Sequence, residues 1–463
     1  MGYYRASSQP GTLPLAFDLL ARVGQILMLQ FRRLRRSGRN RRRIKLLLKI
    51  ALPLLVLYLI DLPIHLYRTR VARPDHDLDQ PFATGCLDPS VTAAQPRENA
   101  TFVMLARNSE IDDARATVEN IEWHFNRWFH YPILFLNDVP WTEEFKDVLS
   151  RAVSNGTEVR FEVIEKGKWG FPEEMNEKEK TKAKLQMKKQ GEKGVGYGDM
   201  ESYHHMCRFY SGEFYNLEAL RPYKWYWRLE PSVRYSCALT YDPFAEMARR
   251  NKVYGWTIAL WETTDDYRIE KGIPRTPAWN ALFQVMWYPR PSVVSEHDNA
   301  GNKWNMCHYW SNFEIANLDF FRGREYQDYF RYLDSKGGFY SERWGDAPVH
   351  TLAVHMLLSP EKIHHFSDIG YEHDTLWQCP GNAPMDEQLL GNKALADTGK
   401  MTPPSEGGTG CRCKCRENKR RRNINSECTS ELTRPVAFHR PSWWERHNWV
   451  YHYAVNNPNN PRK

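Results

Sequence analysis

The chain has 463 residues, a formal net charge of +8 and a hydrophobic content of 41%. A single hydrophobic core rarely organises so many residues, so we expect one large globular domain with further segments at its ends. The positive charge is concentrated in residues 32–45 and 412–422, whereas the middle of the chain has mixed signs. This distribution argues against a nucleic-acid-binding surface.

An apolar segment at residues 46–66 reads LLLKIALPLLVLYLIDLPIHL. Its length is close to the roughly 20 residues that a helix needs to cross a bilayer. The arginine-rich stretch 32–45 precedes it, which predicts a cytoplasmic N-terminus and a single-pass type II anchor. A cleaved signal peptide is the alternative, but no small-residue cleavage site follows the segment before residue 67.

The anchor divides the rest of the chain. Residues 1–45 are predicted to form a basic cytoplasmic tail, and residues 67–98, which are rich in Asp, Pro and Ala, an extended lumenal stem. Residues 99–400 are predicted to form the folded domain, and residues 401–463 a basic, Cys-rich and aromatic C-terminal extension.

Nine cysteines are spread along the chain, and no CxxC pair matches a zinc module. In a lumenal domain we expect several of them to form disulfides, and the odd total leaves at least one unpaired. Cys411, Cys413 and Cys415 alternate too closely for a common zinc site. A disulfide role or a solvated tail is therefore preferred for that tract.

Strand and helix signals alternate at the start of the domain. Residues 101–107, 131–136 and 158–164 read as strands, with helical spacing of apolar residues over 114–128 and a helix over 142–152. This order predicts an open α/β sheet, in which ligands bind beyond the carboxyl ends of the strands. No GxGxxG follows the first strand and no GxxxxGK[ST] occurs, which disfavours a dinucleotide oxidoreductase or a P-loop kinase.

The middle of the domain contains a charged stretch and a further strand. Residues 166–199 are predicted as a surface insertion with a helix over 173–190, and a short helix is predicted over 201–212. Residues 225–229 read as a strand that ends at Glu230-Pro231. Because proline stops the ladder, Glu230 should lie at the carboxyl edge of the sheet.

Five long motifs follow in order along the chain: YHHMCRFYSGEFY (203–215), YWRLEPSVRY (226–235), HYWSNFEIANLDFF (308–321), GGFYSERWGDAPVHTLAV (337–354) and KIHHFSDIGYEHD (362–374). Together with Cys379-Pro380, they make residues 101–380 closely resemble the fungal Golgi α-1,2-mannosyltransferase family. The resemblance implies a single GT-A-like α/β catalytic domain with a mixed central sheet. It also implies GDP-mannose as donor, Mn²⁺ as cofactor, and transfer with retention onto mannose-terminated N- or O-linked glycans of glycoproteins in the Golgi.

The resemblance also assigns a metal pair. A sugar diphosphate needs a divalent cation, oxygen ligands suit Mn²⁺ or Mg²⁺, and an imidazole shifts the preference toward Mn²⁺. The relevant strand end carries Glu230 instead of an Asp-x-Asp, and the family's second ligand is a histidine that matches His373. The alternatives are a surface charge for Glu230 and a structural hydrogen bond for His373.

Glu314 is the candidate catalytic carboxylate. Its neighbours in sequence are aromatic or apolar: Tyr309, Trp310, Phe313, Ile315 and Phe320. Such surroundings are costly for an unpaired carboxylate, so it needs a partner or a purpose. In retaining transfer it acts as a nucleophile on the anomeric carbon or stabilises an oxocarbenium-like state. The alternative is that Glu314 anchors a buried hydrogen-bond network.

Four further residues are predicted to serve the site. Asp346 matches a family position near it, with a helix N-cap as the rival explanation. Tyr203 matches a family tyrosine near the diphosphate and the acceptor. Arg107, at the end of the first strand, and Arg208 are predicted to contact the nucleotide, Arg208 by neutralising phosphate. A membrane-anchored Golgi lectin or sorting receptor, or a transferase of another sugar or linkage, is the competing hypothesis.

Overall fold

The computed structural model describes residue 49, residues 79–261, 307–374, 376–389, 391–396 and 399–415, and residues 428, 429 and 432. All of these except Lys49 belong to one compact unit. Apart from Lys49, the predicted tail and anchor at 1–66 lie outside the described residues. Within the described part of the chain, no helix is long and apolar enough to cross a membrane.

Twelve strands are described. They are β1 Ala100–Leu105, β2 Ile133–Asn137, β3 Val159–Val163, β4 Trp225–Leu229, β5 Arg234–Tyr235, β6 Tyr254–Trp256, β7 Ala259–Trp261, β8 Cys307–Tyr309, β9 Glu314–Asn317, β10 Ile363–His365, β11 Tyr371–His373 and β12 Leu376–Gln378. Seven of them form a central sheet in the order β10-β6-β9-β4-β1-β2-β3. Beside it lie a three-stranded sheet, β12-β11-β5, and the pair β7-β8.

The helices of the described residues cover this sheet. They are α1 Pro89–Thr92, α2 Ile111–Ile121, α3 Arg127–Phe129, α4 Glu143–Arg151, α5 Glu177–Glu192, α6 Glu201–Arg208, α7 Pro243–Arg249, α8 Leu318–Arg322, α9 Arg324–Asp334, α10 Gly338–Ser341 and α11 Asp346–Leu357. π turns at Glu122–Asn126 and Phe209–Glu213 extend α2 and α6. The predicted elements between 101 and 230 are confirmed within a few residues at their ends, except that α5 begins and ends later than predicted.

The central sheet is mixed because one strand is reversed. β1 pairs in parallel with β2 and β4, β2 with β3, and β6 with β10. β9 is antiparallel to both of its neighbours, β4 and β6. The amino end of β9 therefore lies at the edge where the other strands have their carboxyl ends, so Glu314, its first residue, is directly opposite Arg228 near the end of β4.

Alternate side chains of the strands supply two cores on opposite faces of the sheet. Phe102, Phe135 and Trp227 belong to one core, which packs against α2 and α4. Val103 and Tyr226 belong to the other, which includes α9 and α11 residues such as Tyr326 and Leu352. Residues directly opposite in an antiparallel pair share a face, so Arg228 and Glu314 lie on the second face.

Four disulfides join distant parts of the chain: Cys86–Cys411, Cys237–Cys413, Cys379–Cys415 and Cys307–Cys428. Cys207 is the free cysteine of the described residues and is fully buried. The alternating cysteines at 411, 413 and 415 thus each reach a different segment. This arrangement agrees with the disulfide interpretation of that tract.

Two segments that flank the predicted folded domain, residues 79–98 and 401–415, pack on it. Asp79 accepts hydrogen bonds from Lys252 Nζ at 2.7 Å and from the amide of His365 at 2.8 Å, while Phe82 stacks on His364 with ring centroids 3.6 Å apart. The second half of the predicted stem, from residue 79 onward, is therefore in contact with the domain. The same holds for the start of the predicted C-terminal extension, which two of the disulfides above hold beside β5 and β12.

Candidate active site

Glu314 has no solvent exposure. Its Oε2 accepts hydrogen bonds from the Tyr254 hydroxyl at 2.6 Å and from His350 Nδ1 at 2.8 Å. Its Oε1 is buried and has no hydrogen-bond partner among the described residues. Burial raises the pKa of Glu314 above its ordinary value, although His350 opposes the shift. The buried network expected as the alternative is present, but it satisfies only one of the two oxygens.

His350 connects Glu314 to the layer behind it. Its Nε2 is 2.9 Å from the Tyr210 carbonyl oxygen and 2.6 Å from the Tyr215 hydroxyl, which itself donates to the same carbonyl. Burial alone would lower the pKa of His350, but the Glu314 carboxylate, Asp346 and the Tyr210 carbonyl together outweigh it, so the pKa is raised. The pair therefore has the geometry of a buried, charge-assisted hydrogen bond.

Arg228 joins two carboxylates at the end of β4. Its Nη1 donates to Asp346 Oδ2 at 2.5 Å, and its Nε and Nη2 both donate to Glu230 Oε1, at 3.0 and 2.5 Å. The Arg228 guanidinium carbon lies 3.6 Å from the centroid of the Tyr210 ring, so the guanidinium also makes a cation–π contact with Tyr210. Arg228 is 3% exposed, which makes it the central cation of the site.

Asp346 is the first residue of α11, and the residue in the N-cap position is Gly345. The Asp346 carboxylate accepts from Ser311 Oγ at 2.8 Å as well as from Arg228. Burial would raise the pKa of Asp346, but Arg228, His350 and the Ser311 hydroxyl outweigh it, so its pKa is lowered. The carboxylate thus faces the Arg228 cluster, and the helix-cap explanation does not describe it.

Glu230 and His373 lie on adjoining elements at this edge. The Glu230 side chain is 23% exposed, and its Oε2 has no hydrogen-bond partner among the described residues. His373 ends β11, which pairs with β5, the strand that follows Glu230. Asn312 Nδ2 lies 2.6 Å from His373 Nδ1, and Asn312 Oδ1 accepts from the Tyr371 hydroxyl.

This donor set fits a divalent cation bound together with a diphosphate. One carboxylate oxygen and one imidazole nitrogen suit Mn²⁺, and phosphate oxygens and water supply the remaining ligands. Among the described residues, no group of three or more His, Cys, Asp or Glu side chains has the spacing of a metal site. Glu230 and His373 are two candidate ligands, fewer than the coordination number of a divalent cation such as Mn²⁺.

Tyr203 lies between two other side chains. Its ring stacks on that of Tyr197, with ring centroids 4.8 Å apart. The Arg343 guanidinium carbon lies 5.0 Å from the centroid of the Tyr203 ring, and Arg343 Nη2 donates a hydrogen bond to the Tyr203 hydroxyl at 3.2 Å. Tyr203 also lowers the pKa of the Cys207 thiol, whereas burial and the nearby Asp346 raise it, to about 12 overall. Tyr203 is therefore held by contacts with Tyr197 and Arg343.

The two predicted nucleotide arginines differ in surroundings. Arg107 follows β1 at the carboxyl edge of the sheet, and its side chain is 60% exposed, with Glu110 at 4.0 Å. Arg208 is 4% exposed and donates from Nε and Nη2 to both oxygens of Asp334, each at 2.8 Å, and from Nη2 to Glu213. Two carboxylates already neutralise Arg208, so its phosphate contact stays a prediction that the geometry does not favour.

The structure thus brings Glu314, Asp346 and Glu230 together around Arg228, with His373 nearby. Sequence reasoning missed Arg228, His350, Tyr254, Ser311 and Asn312 as members of this site. One signal was available: Asp346 and His350 are four residues apart in a predicted helix, so they share a face. Tyr254 lies 60 positions from Glu314, and no local pattern indicates that they meet.

The comparisons with known proteins agree with this geometry. The sequence pattern described as glycolipid 2-alpha-mannosyltransferase matches residues 66–393. The probable mannosyltransferase KTR7 of Saccharomyces cerevisiae is 36% identical over 409 residues, covering 73% of this chain and 77% of that protein. The O-glycoside alpha-1,2-mannosyltransferase homolog 4 of Schizosaccharomyces pombe is 41% identical over 344 residues, covering 66% and 76%.

A solved structure is similar as well. Core-mannan synthase A of Aspergillus fumigatus, crystallised in an Mn/GDP form, is 30% identical, with a TM-score of 0.57 over 78% of this chain and 94% of that one. The family match and these relatives identify the protein as a glycosyltransferase, and the buried carboxylate cluster lies at the carboxyl edge of its mixed sheet. It belongs to the glycolipid 2-alpha-mannosyltransferase family, as its motifs predicted.

Proposed function

We propose that the protein is a retaining α-1,2-mannosyltransferase that transfers mannose from GDP-mannose to mannose-terminated glycans of glycoproteins. The observation that carries the proposal is the reversed strand β9, which sets the buried Glu314 opposite Arg228. Arg228 in turn binds Glu230 and Asp346. Membership of a family of mannosyltransferases supports the choice of sugar and donor.

Glu230 and His373 would hold Mn²⁺ together with the diphosphate of the donor. The Mn/GDP form of the similar Aspergillus enzyme supports this choice of metal and nucleotide. When bound, a divalent cation neutralises the diphosphate charge and thereby stabilises GDP as a leaving group. Arg107 is exposed at the same edge of the sheet, where its guanidinium is available to phosphate oxygens.

Glu314 would face the anomeric carbon. Retaining transfer uses a carboxylate there either as the nucleophile of a double displacement or as the charge that stabilises an oxocarbenium-like state. Both routes need an oxygen that the protein does not already occupy, and Oε1 meets that requirement. Asp346, which belongs to the Arg228 cluster, would contact a hydroxyl of the reacting sugars. Tyr203 would lie near the diphosphate and the acceptor, as its match to the family position implies.

We further propose that the protein is a single-pass type II membrane protein of the Golgi, anchored by residues 46–66 with its catalytic domain in the lumen. The four disulfides support an oxidising compartment. Protease protection of intact microsomes tests the topology. The domain should resist protease until detergent is added, and a domain digested without detergent contradicts the proposal.

The enzymatic test is incubation of the purified full-length protein with GDP-mannose, Mn²⁺ and methyl α-mannoside, followed by linkage analysis. An α-1,2-linked disaccharide is expected, together with loss of activity in EDTA and recovery on adding Mn²⁺. GDP-glucose and GDP-fucose serve as donor controls. Glycan binding without any transfer would favour a lectin instead, and transfer of another sugar would favour a different transferase.

The natural acceptor is tested with the same preparation. N-linked oligomannose, O-linked mannose peptides and mannosylated glycolipids are compared at equal concentration of terminal mannose. We expect the glycoprotein-type acceptors to give the higher kcat/KM. A preference for the glycolipid would contradict that part of the proposal.

A further inference from the structure

The two carboxylate oxygens of Glu314 are not equivalent. Oε2 has two donors, Tyr254 at 2.6 Å and His350 at 2.8 Å, whereas the buried Oε1 has none in the part of the chain that the structure describes. An unmade hydrogen bond at a buried carboxylate is unfavourable unless another role compensates for it. The asymmetry therefore indicates which oxygen is held by the protein and which is left for a ligand.

His350 is itself fixed at both ring nitrogens. Nδ1 faces Glu314, and Nε2 faces the Tyr210 carbonyl at 2.9 Å, an acceptor that belongs to the π turn following α6. A ring between two acceptor oxygens donates from both nitrogens only as the imidazolium. His350 is completely buried, so its ring has no solvent contact through which to reorient.

Tyr254 approaches the same oxygen from the sheet. It is opposite Ala316 in the pairing of β6 with β9, so its side chain shares a face with that of Glu314, two residues away. One donor thus comes from a strand and the other from α11. Two rigid elements fix the rotation of the carboxylate about its terminal torsion, which is otherwise soft.

We propose that Tyr254 and His350 are positioning residues of the transfer reaction, which bind Oε2 of Glu314 so that Oε1 is the oxygen presented to the anomeric carbon. The inference rests on the proposed function, because it takes Glu314 as the carboxylate that faces the sugar. It goes beyond that function by assigning the two residues that orient this carboxylate and the oxygen that reacts. It holds for a nucleophilic and for a charge-stabilising carboxylate alike.

Several ionisable groups surround Glu314, and of these His350 lowers its pKa and Asp346 raises it. They are Arg228 on β4, opposite in register, Asp346 and His350 on α11, Tyr254 on β6, Tyr215 after the π turn, and Tyr326 on α9. Of these, Tyr254 and His350 donate hydrogen bonds to it. Removing either donor leaves the others in place and disfavours the ionised form of Glu314.

The test compares the full-length protein with Tyr254→Phe, which deletes one hydroxyl. We expect kcat to fall about 10- to 100-fold, the range for a hydrogen bond to a charged group. The dissociation constant for GDP with Mn²⁺ should change less than about twofold. The acidic limb of the kcat–pH profile should move upward by about one pH unit, because a carboxylate that loses a donor is harder to ionise.

Tyr329→Phe is the matched control. Its hydroxyl is also buried and donates to the Val349 carbonyl at 3.0 Å instead of to a carboxylate. It should lose comparable stability without moving the pH profile. For the second donor, His350→Phe should lower kcat more than about 100-fold. His350→Asn keeps an N–H near the position of Nδ1, so its kcat should be at least about tenfold higher than that of His350→Phe.

A measurement that does not depend on activity distinguishes failure of this inference from failure of the proposed function. Infrared difference spectra between wild type and Glu314→Gln follow the carboxyl stretch of Glu314 with pH in the metal-free protein. Tyr254→Phe should raise that transition by about one unit. If wild type transfers mannose but Tyr254→Phe keeps its kcat and its infrared transition, the inference is wrong and the proposed function stands. If wild type transfers nothing, the proposed function fails, and the inference fails with it.

Discussion

Glu314 and Asp346 are both buried carboxylates at the carboxyl edge of the same sheet, yet their environments act in opposite directions. Asp346 has Arg228 and Ser311 as partners, and its pKa is lowered. Glu314 has a histidine and a tyrosine at one oxygen only, and its pKa is raised. Paired carboxylates whose pKa values are pushed apart are typical of sites that need one fixed anion and one reactive group. Because both carboxylates are buried, the hydrogen-bonding and ionic partners decide in which direction each pKa shifts.

The largest effect should follow from Glu314→Gln. Transfer should fall by 1000-fold or more, since the substitution removes the charge but keeps the shape. GDP binding with Mn²⁺ should stay within about twofold, because Glu230 and His373 are untouched. Steady-state kinetics and calorimetry on the same preparation check this. Near-normal turnover would contradict the assignment of Glu314 as the reactive carboxylate and Asp346 as the fixed anion.

Asp346→Asn should act on stability as well as on activity. Because Asp346 has a lowered pKa in the folded state, its contribution is present above the pKa of the unfolded chain, and it is lost as pH falls through the folded value. The variant should lose about 3 kcal/mol at pH 7, since Arg228 remains buried with one partner fewer. The loss should shrink toward pH 3 in denaturant titrations. A loss independent of pH would contradict the ion pair.

Glu230→Gln should separate nucleotide binding from transfer. We expect GDP affinity in Mn²⁺ to fall about 10- to 100-fold, with little change in the weak binding measured in EDTA. Glu372→Gln is the control, because this carboxylate lies on β11 next to His373 but faces Arg234 at 3.9 Å. Equal losses in the two variants would indicate a general effect of charge instead of metal binding.

Asp368→Asn should give the smallest effect and extends the comparison to a third buried carboxylate. Asp368 accepts a hydrogen bond from the Tyr241 hydroxyl, and burial raises its pKa to about 6. A raised folded-state pKa means that stability is lost as pH rises through about 6. The variant should therefore be more stable than wild type at pH 8 by about 1–2 kcal/mol, and equal to it near pH 4. Thermal unfolding at both pH values measures the difference.

Much of the site followed from local patterns. Glu230 lies immediately after a strand that ends as predicted, because Pro231 cannot continue the ladder. The alternation of strand and helix signals over residues 101–164 predicted an open α/β sheet, and β1, β2 and β3 are parallel neighbours in it. The metal pair, the catalytic carboxylate and Asp346 came from motifs of the family. Their roles stay predictions, whereas the fold and the family are confirmed.

Other features depend on distant parts of the chain. The disulfides join cysteines up to 325 positions apart, and nothing in their spacing selects the partners. Arg208 lies within the first of the five motifs and was predicted to neutralise phosphate, but Asp334, 126 residues later, neutralises it. Whether a cation is free for a ligand depends on which carboxylates fold against it, and sequence near Arg208 does not contain that information.

The sequence by itself determined the strands β1 to β4, the helices between them, the family and the residue types of the site, because periodicity and motifs are local properties. Tertiary structure alone decided that β9 runs against its neighbours, and hence that Glu314 faces Arg228. It also decided that Tyr254 and His350 share one oxygen of Glu314. These outcomes follow from the packing of β6, β9 and α11, which are far apart in the chain. Burial strengthens the hydrogen bonds between them and makes an unpaired polar group costly.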